Sequence, residues 1–286
     1  MTAVLLALAC AVAYGLSDFL GGLFSKRHSA WTIALWSQLG ALLTAGALGL
    51  ILGGTPLPVD LMWAVVAGIG SGLGGAFLYR GLAGGRMSVI APISAVVSAA
   101  VPVVVGVATG ERPQPLAWVG IAVGLVAIWL VARTPDPAGA PDAVFARPSG
   151  TAASIRDGVL AGIGFGTSFA AIGQVREQAG LWPNAASMLT AVVVLLVAAL
   201  LVRAPLTLPR RSAALALLPG VLGAVALTFF LLATQHGLLT VVSVISALYP
   251  AATVILAAVV LRERIHRGQS IGLAACAVAV ALVALA

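Results

Sequence analysis

Asp18 is the acidic residue that stands well inside an apolar run of the chain, the run formed by residues 1–25. On a helix it shares one face with polar and small residues at positions i, i+3, i+4, i+7 and i+8. That face consists of Tyr14, Ser17, Asp18, Gly21 and Gly22. A carboxylate turned toward lipid would cost about 3 kcal/mol. We therefore expect this face to line a water-filled cavity or to contact protein.

Two kinds of role fit the Asp18 carboxylate. It could bind a coupling proton or the amine of a transported solute, because ionisable residues inside a membrane span often mark such pathways. Alternatively, it is an acid near the membrane interface that is satisfied by a serine, a water molecule or a basic loop group such as Lys26. The residue types alone leave both roles open.

Other polar residues in the apolar runs are candidates for the same cavity, each with a structural alternative. Proline frees a backbone carbonyl and can interrupt a helix where transporters bind ligands, so Tyr249-Pro250 indicates a site or a simple packing kink. His236 could take up a proton near neutral pH or lie at the water interface. Gln174 faces the cavity or caps its helix, and tyrosines line a cavity or anchor a helix end. The candidates outside the Asp18 face are Tyr79, Pro92, Gln174, Gln235, His236, Ser246, Tyr249 and Pro250.

The composition places these residues in a membrane protein. The 286 residues are 61% hydrophobic and 8% charged, whereas soluble domains have roughly 25% charged residues. The apolar runs predict ten spans of about 20 residues each, and the Pro- and Ala-rich stretch between the fifth and sixth spans is typical of a linker. The predicted spans are 3–24, 31–52, 61–79, 88–109, 116–132, 155–174, 183–202, 212–233, 238–261 and 268–285.

The second half of the chain repeats the first. Residues 77–132 align with residues 229–284 without a gap, and nearer the start a slightly different offset pairs Asp18 with Phe169. The scaffold itself therefore does not require an acid at that position. Because each copy has five spans, an odd number, the copies must cross the membrane in opposite senses. Inverted repeats are a mark of secondary transporters, whose binding site lies at the repeat interface near the midplane.

The repeated motifs give the chain a family resemblance. They are Tyr14-Gly15 and Phe165-Gly166, Glu111-Arg112 and Glu263-Arg264, Gly120 and Gly272, and Pro250 in the ninth span. With these motifs the chain resembles, over nearly all its length, a ten-helix member of the drug/metabolite transporter superfamily, of the EamA type. Two features depart from the family pattern. Tyr14 stands where the family more often has Trp, and the loop GGTPLPVD lacks the usual basic residues.

The resemblance and the repeat together predict an all-α membrane protein of ten transmembrane helices. We expect two inverted five-helix EamA-like repeats, residues 1–134 and 154–286, joined by a polar linker at residues 135–153. The resemblance also implies solute export, either in exchange for protons or down a gradient, with substrates that range over amino acids, metabolites and drugs. Glu111-Arg112 and Glu263-Arg264 are expected to be ion pairs at the membrane interface, with either a structural or a gating role.

Several other classes of site are excluded or disfavoured. The stretch GIGSGLGGAF matches G-x-G-x-x-G, but it lacks the preceding strand and the later acidic residue of a dinucleotide site. We therefore interpret the third span as a packing helix. No His/Asp, Ser/His or metal-spaced cluster lies at one membrane depth, so the sequence predicts no enzyme, no metal site and no cofactor. Cys10 and Cys276 are far apart in apolar runs and indicate no disulfide.

The basic residues bear on orientation. All of the 15 Lys and Arg residues except Arg112 and Arg176 lie in or beside the odd-numbered loops. The positive-inside rule would place these loops in the cytoplasm and both termini outside, whereas the family resemblance places the termini inside. The sequence pI of 10.7 reflects this membrane-flanking charge, and no nucleic-acid partner is predicted.

The sequence therefore predicts a multi-pass secondary transporter of the cell (inner or plasma) membrane. It would export a small amphipathic solute, such as an amino acid, a metabolite or a drug-like molecule, by alternating access, with protons as the candidate coupling ion. A mainly apolar cavity without mid-span Lys or Arg suits such solutes better than polyanions. The alternative is a flippase for a lipid-linked solute. The expected partners are the lipid bilayer and the solute, with the protein acting as a monomer or a homodimer.

Overall fold

The structure of the chain, a computed structural model, describes residues 1–25, 28–84, 87–132, 151–262 and 264–286. Within these ranges Tyr79, residues 81–84, residues 87–89 and residue 151 are described by their backbone alone. The helices are α1 Thr2–Ser25, α2 Ala30–Leu52, α3 Pro58–Gly84, α4 Met87–Ala108, α5 Pro115–Ala132, α6 Thr151–Ile172, α7 Trp182–Leu201, α8 Arg210–His236, α9 Leu239–Ser246, α10 Tyr249–Val260 and α11 Arg267–Ala284.

The predicted all-helical membrane fold is confirmed. In the described part of the chain, nine segments are long and apolar enough to cross a membrane, with α9 and α10 counted together as one. Helices suit these apolar sequences because every backbone polar group in a bilayer must be satisfied within the protein. The tenth crossing, α6, is less apolar because Arg156 and Asp157 lie near its start. It nevertheless packs along α3 and α4 like the other spans.

The predicted ninth span is interrupted. It consists of α9 and α10, separated by a turn at Ala247 and Leu248. Pro250 lies in the first turn of α10, where a missing backbone N–H costs least. Because a proline cannot donate to the preceding turn, the continuous helix expected from hydropathy ends four residues before it.

The two five-helix repeats interlock rather than fold side by side. Helix α1 of the first repeat packs against α8, α9 and α10 of the second. In the same way, α6 of the second repeat packs against α3 and α4 of the first. The pairs α2 with α7 and α5 with α11 join equivalent helices across the repeats. The two repeats therefore share one interface that runs through the molecule, which agrees with the inverted repeats predicted from the sequence.

The third span is a packing helix, as predicted. A Cβ added to Gly70 would lie 2.6 Å from the carbonyl oxygen of Gly164, and one added to Gly72 would lie 2.6 Å from Cβ of Val194. Glycine thus lets the α3 backbone touch both α6 and α7. No larger residue fits at these two positions without moving a helix.

The molecule has two faces of different character. One, which we call the terminal face, carries both chain ends and the loops after α2, α4, α6 and α8. The other, which we call the basic face, carries the C-terminal ends of α1, α3, α5, α7 and α10. The largest apolar core lies in the terminal-face half and includes Ala7, Phe230 and Leu239. The terminal-face half is therefore the closed half of the molecule.

Ion pairs tie α3 to α6 near both faces. At the terminal face, Nη2 of Arg176, after α6, lies 2.6 Å from Oδ2 of Asp60 in the first turn of α3. The hydrogen bonds that the Arg176 guanidinium donates to the Asp60 carboxylate raise the pKa of that guanidinium. At the basic face, Nη2 of Arg80 lies 2.5 Å from Oδ1 of Asp157, which Arg156 also contacts. Ion pairs at both faces therefore hold α3 and α6 together.

Candidate functional site

A cavity of about 630 Å³ occupies the basic-face half of the described structure. It lies between the C-terminal half of α1, the N-terminal halves of α2 and α4, and α10. Its volume is within the range of about 300–1,000 Å³ that small-molecule sites have. The polar residues that line it are Ser17, Asp18, Ser25, Ser37, Ser94, Tyr249 and Thr253.

Asp18 is exposed to this cavity. Asp18 carries the one carboxylate among the described lining residues, and no described lining residue is Lys, Arg or His. Within the described chain its side chain has no hydrogen bond or ion pair to another residue. No contact among the described residues occupies the carboxylate on its cavity side, and Lys26, the basic loop group considered for it above, lies outside them.

Two hydroxyl groups fix the helix that carries Asp18. The Ser17 hydroxyl donates a 2.7 Å hydrogen bond to the carbonyl oxygen of Pro219 in α8. The Thr253 hydroxyl, in α10, lies 3.1 Å from the carbonyl oxygen of Gly15 and can donate to it. Both bonds lie within one turn of Asp18. They hold α1 against its neighbours just where the cavity begins.

Aromatic rings pack on the terminal-face side of the cavity. The ring of Tyr249, which lines the cavity, lies 6.1 Å from the ring of Tyr14. Tyr14 in turn makes an edge-to-face contact with Phe169 at 5.9 Å, and Phe169 lies 4.7 Å from Phe230. Edge-to-face and tilted arrangements are the favourable ones for aromatic pairs. This aromatic row joins the cavity to the closed core.

The structure places the other candidates at different depths. Pro250 lines the cavity beside Tyr249, while Pro92 is buried in α4 next to the lining residue Ala91. Ser246 is 1% exposed and lies in the interior, not in the cavity wall. Gln174, Gln235 and His236 lie at the terminal face, the first two half-buried and His236 exposed. The side chain of Tyr79 and all of Glu263 lie outside the described residues.

Glu111 has a different partner from the expected one. Its carboxylate accepts hydrogen bonds from the backbone N–H groups of Leu239 at 2.6 Å and Thr240 at 2.9 Å, the first two residues of α9. Arg112 instead donates to the backbone carbonyl of Glu111 and is exposed. A carboxylate at a helix N-terminus satisfies free donors and complements the helix dipole. Arg264, at the other repeat end, is exposed.

Sequence reasoning missed four polar side chains and one proline at the cavity. Ser25, Ser37, Ser94 and Thr253 line it, and Pro219 both lines it and accepts the Ser17 hydrogen bond. A signal existed for two of them. Ser94 belongs to an Ile-Ser-Ala triplet at residues 93–95 that recurs at residues 245–247, and Thr253 lies one helical turn after Tyr249, on the same face. Ser37 and Pro219 stand in ordinary apolar contexts that mark no face.

The family comparison agrees with this architecture. The profile of the EamA-like transporter family matches residues 1–133 and 158–285, which together make up most of the chain. The chain belongs to the EamA-like transporter family. As an EamA-like protein it is a multi-pass membrane transporter. Membership of a transporter family also fits the sequence analysis, which predicts no enzyme site.

A solved structure has the same EamA-like architecture. This crystal structure of another protein superposes with a TM-score of 0.77 and covers 99% of this chain and 96% of its own. At 16% sequence identity the likeness shows the fold alone. No curated protein matches the chain.

Proposed function

We propose that this EamA-like protein exports a small amphipathic solute from the cell by alternating access, with Asp18 as the site of a proton or of the solute's amine. The observation that carries the proposal is the cavity of about 630 Å³ whose one described carboxylate is Asp18. We further propose that it works in the plasma (inner) membrane.

The lining selects the chemical class of solute. Most lining residues are apolar, and the hydroxyls of Ser37, Ser94 and Thr253 supply neutral polar groups. An anionic solute would meet a like charge at Asp18 and no described cation. A solute with an amine and an apolar body would match both parts of the lining. Amino-acid-like and drug-like amines fit this description.

The packing supports an alternating cycle. The cavity reaches the basic face through the last turns of α5 and α10, at Ala132 and Leu261. At the terminal face the N–H of Thr55 donates to the carbonyl of Gln178 at 2.8 Å, which ties the two neighbouring loops. A cavity that opens to one face supports assignment to one state of such a cycle, and transport requires a second state that opens to the other face.

One carboxylate could couple the solute to protons. If a protonated amine and a free proton compete for Asp18, the two cannot occupy it together. Such competition leads to exchange when the protein changes state with either ligand bound but not with the empty, charged carboxylate, because a ligand shifts the equilibrium by its differential affinity for the two states. Asp18→Asn would remove the carboxylate to which both the amine and the proton bind.

The test is efflux from proteoliposomes that contain a mixed pool of amino acids, amines and metabolites. Mass spectrometry follows loss of each solute with and without a pH gradient, for the wild type, for Asp18→Asn and for the matched control Glu177→Gln. Glu177 is an exposed carboxylate at the terminal face. We expect selective, gradient-dependent efflux that Asp18→Asn abolishes and Glu177→Gln leaves intact.

Other outcomes would revise the proposal in defined ways. Selective efflux that ignores both the gradient and Asp18→Asn would keep the transporter and remove Asp18 from its mechanism. No efflux of any soluble compound would contradict the proposed substrate class. The family match does not favour the alternative of a flippase for a lipid-linked solute.

A further inference from the structure

Four helices are followed within two residues by a residue in the left-handed region. At the terminal face these residues are Gly53 after α2, with φ 69°, and Gly110 after α4, with φ 105°. At the basic face they are Arg203 after α7, with φ 53°, and Arg262 after α10, with φ 56°. Among the described residues these two arginines are the non-glycine residues with positive φ. A side chain is disfavoured there because its Cβ crowds the backbone.

The turn itself does not call for arginine. At the end of α4, Gly110 N–H donates to Val107 at 3.1 Å, and the next N–H donates five residues back at 2.9 Å. The turn at Arg203 has the same pair of bonds: the N–H of Arg203 donates to the carbonyl of Leu200 at 3.0 Å, and the next N–H donates to the carbonyl of Ala199 at 2.9 Å. Glycine is the usual residue at this position of the turn. The repeat alignment also places Gly110 opposite Arg262.

The arginines stand at the edge of the lipid-facing surface. Leu201, 80% exposed, and Val202 immediately precede Arg203. Val259, 73% exposed, and Val260 come just before Leu261 and Arg262. Exposed apolar side chains at the end of a span lie against hydrocarbon, so each guanidinium emerges at the depth of the lipid headgroups. In the described part of the chain neither guanidinium has an ion pair or hydrogen-bond partner.

We propose that Arg203 and Arg262 bind the phosphates of anionic phospholipids at the basic face. The planar guanidinium donates two parallel hydrogen bonds to a phosphate, and a cation at a helix C-terminus complements the dipole. Binding of this kind accounts for arginine in a backbone conformation that glycine adopts more easily. The inference does not depend on the transported solute.

The test uses the full-length protein in lipid nanodiscs. Thermal unfolding is measured in phosphatidylcholine alone and in phosphatidylcholine with phosphatidylglycerol, for the wild type and for R203G/R262G. We expect a higher Tm of the wild type in the anionic discs and loss of that difference in the double variant. In phosphatidylcholine the double variant should be at least as stable as the wild type, because glycine relieves both turns.

The control separates a binding site from net charge. Arg112→Gln removes one exposed cation at the terminal face and is compared with R203G and R262G singly. We expect it to keep the full stabilisation by phosphatidylglycerol. Native mass spectrometry should show fewer retained phosphatidylglycerol molecules on R203G, R262G and above all the double variant than on the wild type or Arg112→Gln, and this difference should become smaller at high salt.

Three results would overturn the inference. The first is a double variant that keeps the stabilisation by anionic lipid. The second is an Arg112→Gln variant that loses as much of it as R203G or R262G, which would make the effect one of net charge. The third is a double variant that is less stable in phosphatidylcholine alone, which would show that the arginines act within the protein.

Discussion

The contact of α6 with α4 and the contact of α1 with α10 are the same interface in two repeats, yet one is closed and the other is open. A Cβ added to Gly162 or Gly166 of α6 would lie 2.5 Å from Cβ of a valine in α4. In α1, Gly15 meets Ala252 of α10 at 2.5 Å, but Gly21 and Gly22 have no atom within 4 Å. The second repeat thus shows how the interface looks when it is shut.

The same comparison holds toward the helix ends. Gly22 corresponds to Gly173 in the second repeat, where an added Cβ would lie 2.6 Å from Cδ1 of Leu239. Asp18 corresponds to Phe169, which packs between aromatic rings. The volume that repeat one keeps as a cavity is therefore core in repeat two. The same helix pairing is thus tightly packed in one repeat and lines a cavity in the other.

The largest expected effect comes from moving the acid to the closed side. Phe169→Asp would place a carboxylate between Tyr14 and Phe230, and both the lost packing and the unpaired charge oppose folding. We expect a loss of about 5 kcal/mol in the free energy of unfolding. The reverse change, Asp18→Phe, should fold, because its side chain enters a cavity. Thermal unfolding in detergent measures both, and equal losses would contradict the comparison.

The second-largest effect is expected when a glycine of the closed interface and a glycine beside the cavity are each replaced by leucine. Gly166→Leu drives a side chain into Val101 and the α4 backbone, and we expect a cost of about 3 kcal/mol. Gly22→Leu has free space and a better helix propensity, so its stability should equal or exceed that of the wild type. Tm of the two variants, with folded yield by size-exclusion chromatography, provides the measurement. A Gly22→Leu variant as unstable as Gly166→Leu would show that the open side is also packed.

Loss of the Glu111 carboxylate should loosen the terminal face. Glu111→Ala removes two hydrogen bonds from the start of α9, and losing such a cap costs about 1–2 kcal/mol. Amide hydrogen exchange should speed up in residues 239–246 and stay unchanged in α10. Glu177→Ala, at the same face, is the control. Unchanged exchange in α9 would mean that Glu111 does not hold this helix.

The smallest expected effect is that of Ser17→Ala. The variant loses one hydrogen bond to the carbonyl of Pro219, and we expect a decrease of about 1 kcal/mol in the free energy of unfolding. Ser25→Ala, which alters a cavity hydroxyl nearer the basic face, should change stability by less than about 0.5 kcal/mol. Urea unfolding of both variants measures the difference, and a larger effect at Ser25 would contradict this assignment of the α1 contacts.

The sequence could predict the spans and the repeat because hydropathy and periodicity are local properties. The helical face of Asp18 also follows from spacing alone. The break before Tyr249 was harder, since the apolar run continues through it and only Pro250 marks it. The partners of Glu111 lie 128 and 129 residues away, a distance that no local pattern spans. The open half and the closed half of the molecule are built from the same helices, so hydropathy carries no signal for which half is open.

The interlocked repeats have a consequence for how the chain is made. Ser17 bonds to Pro219, 202 residues later, and the other neighbours of α1 are equally late in the chain. At a synthesis rate of about 5–20 residues per second, α1 waits on the order of 10–40 s for α8 to emerge. During this time α1, which carries the Asp18 carboxylate, is already in the membrane but has not yet made its contacts with α8. Insertion and assembly are therefore separate events for this chain, and the first repeat is completed only by the second.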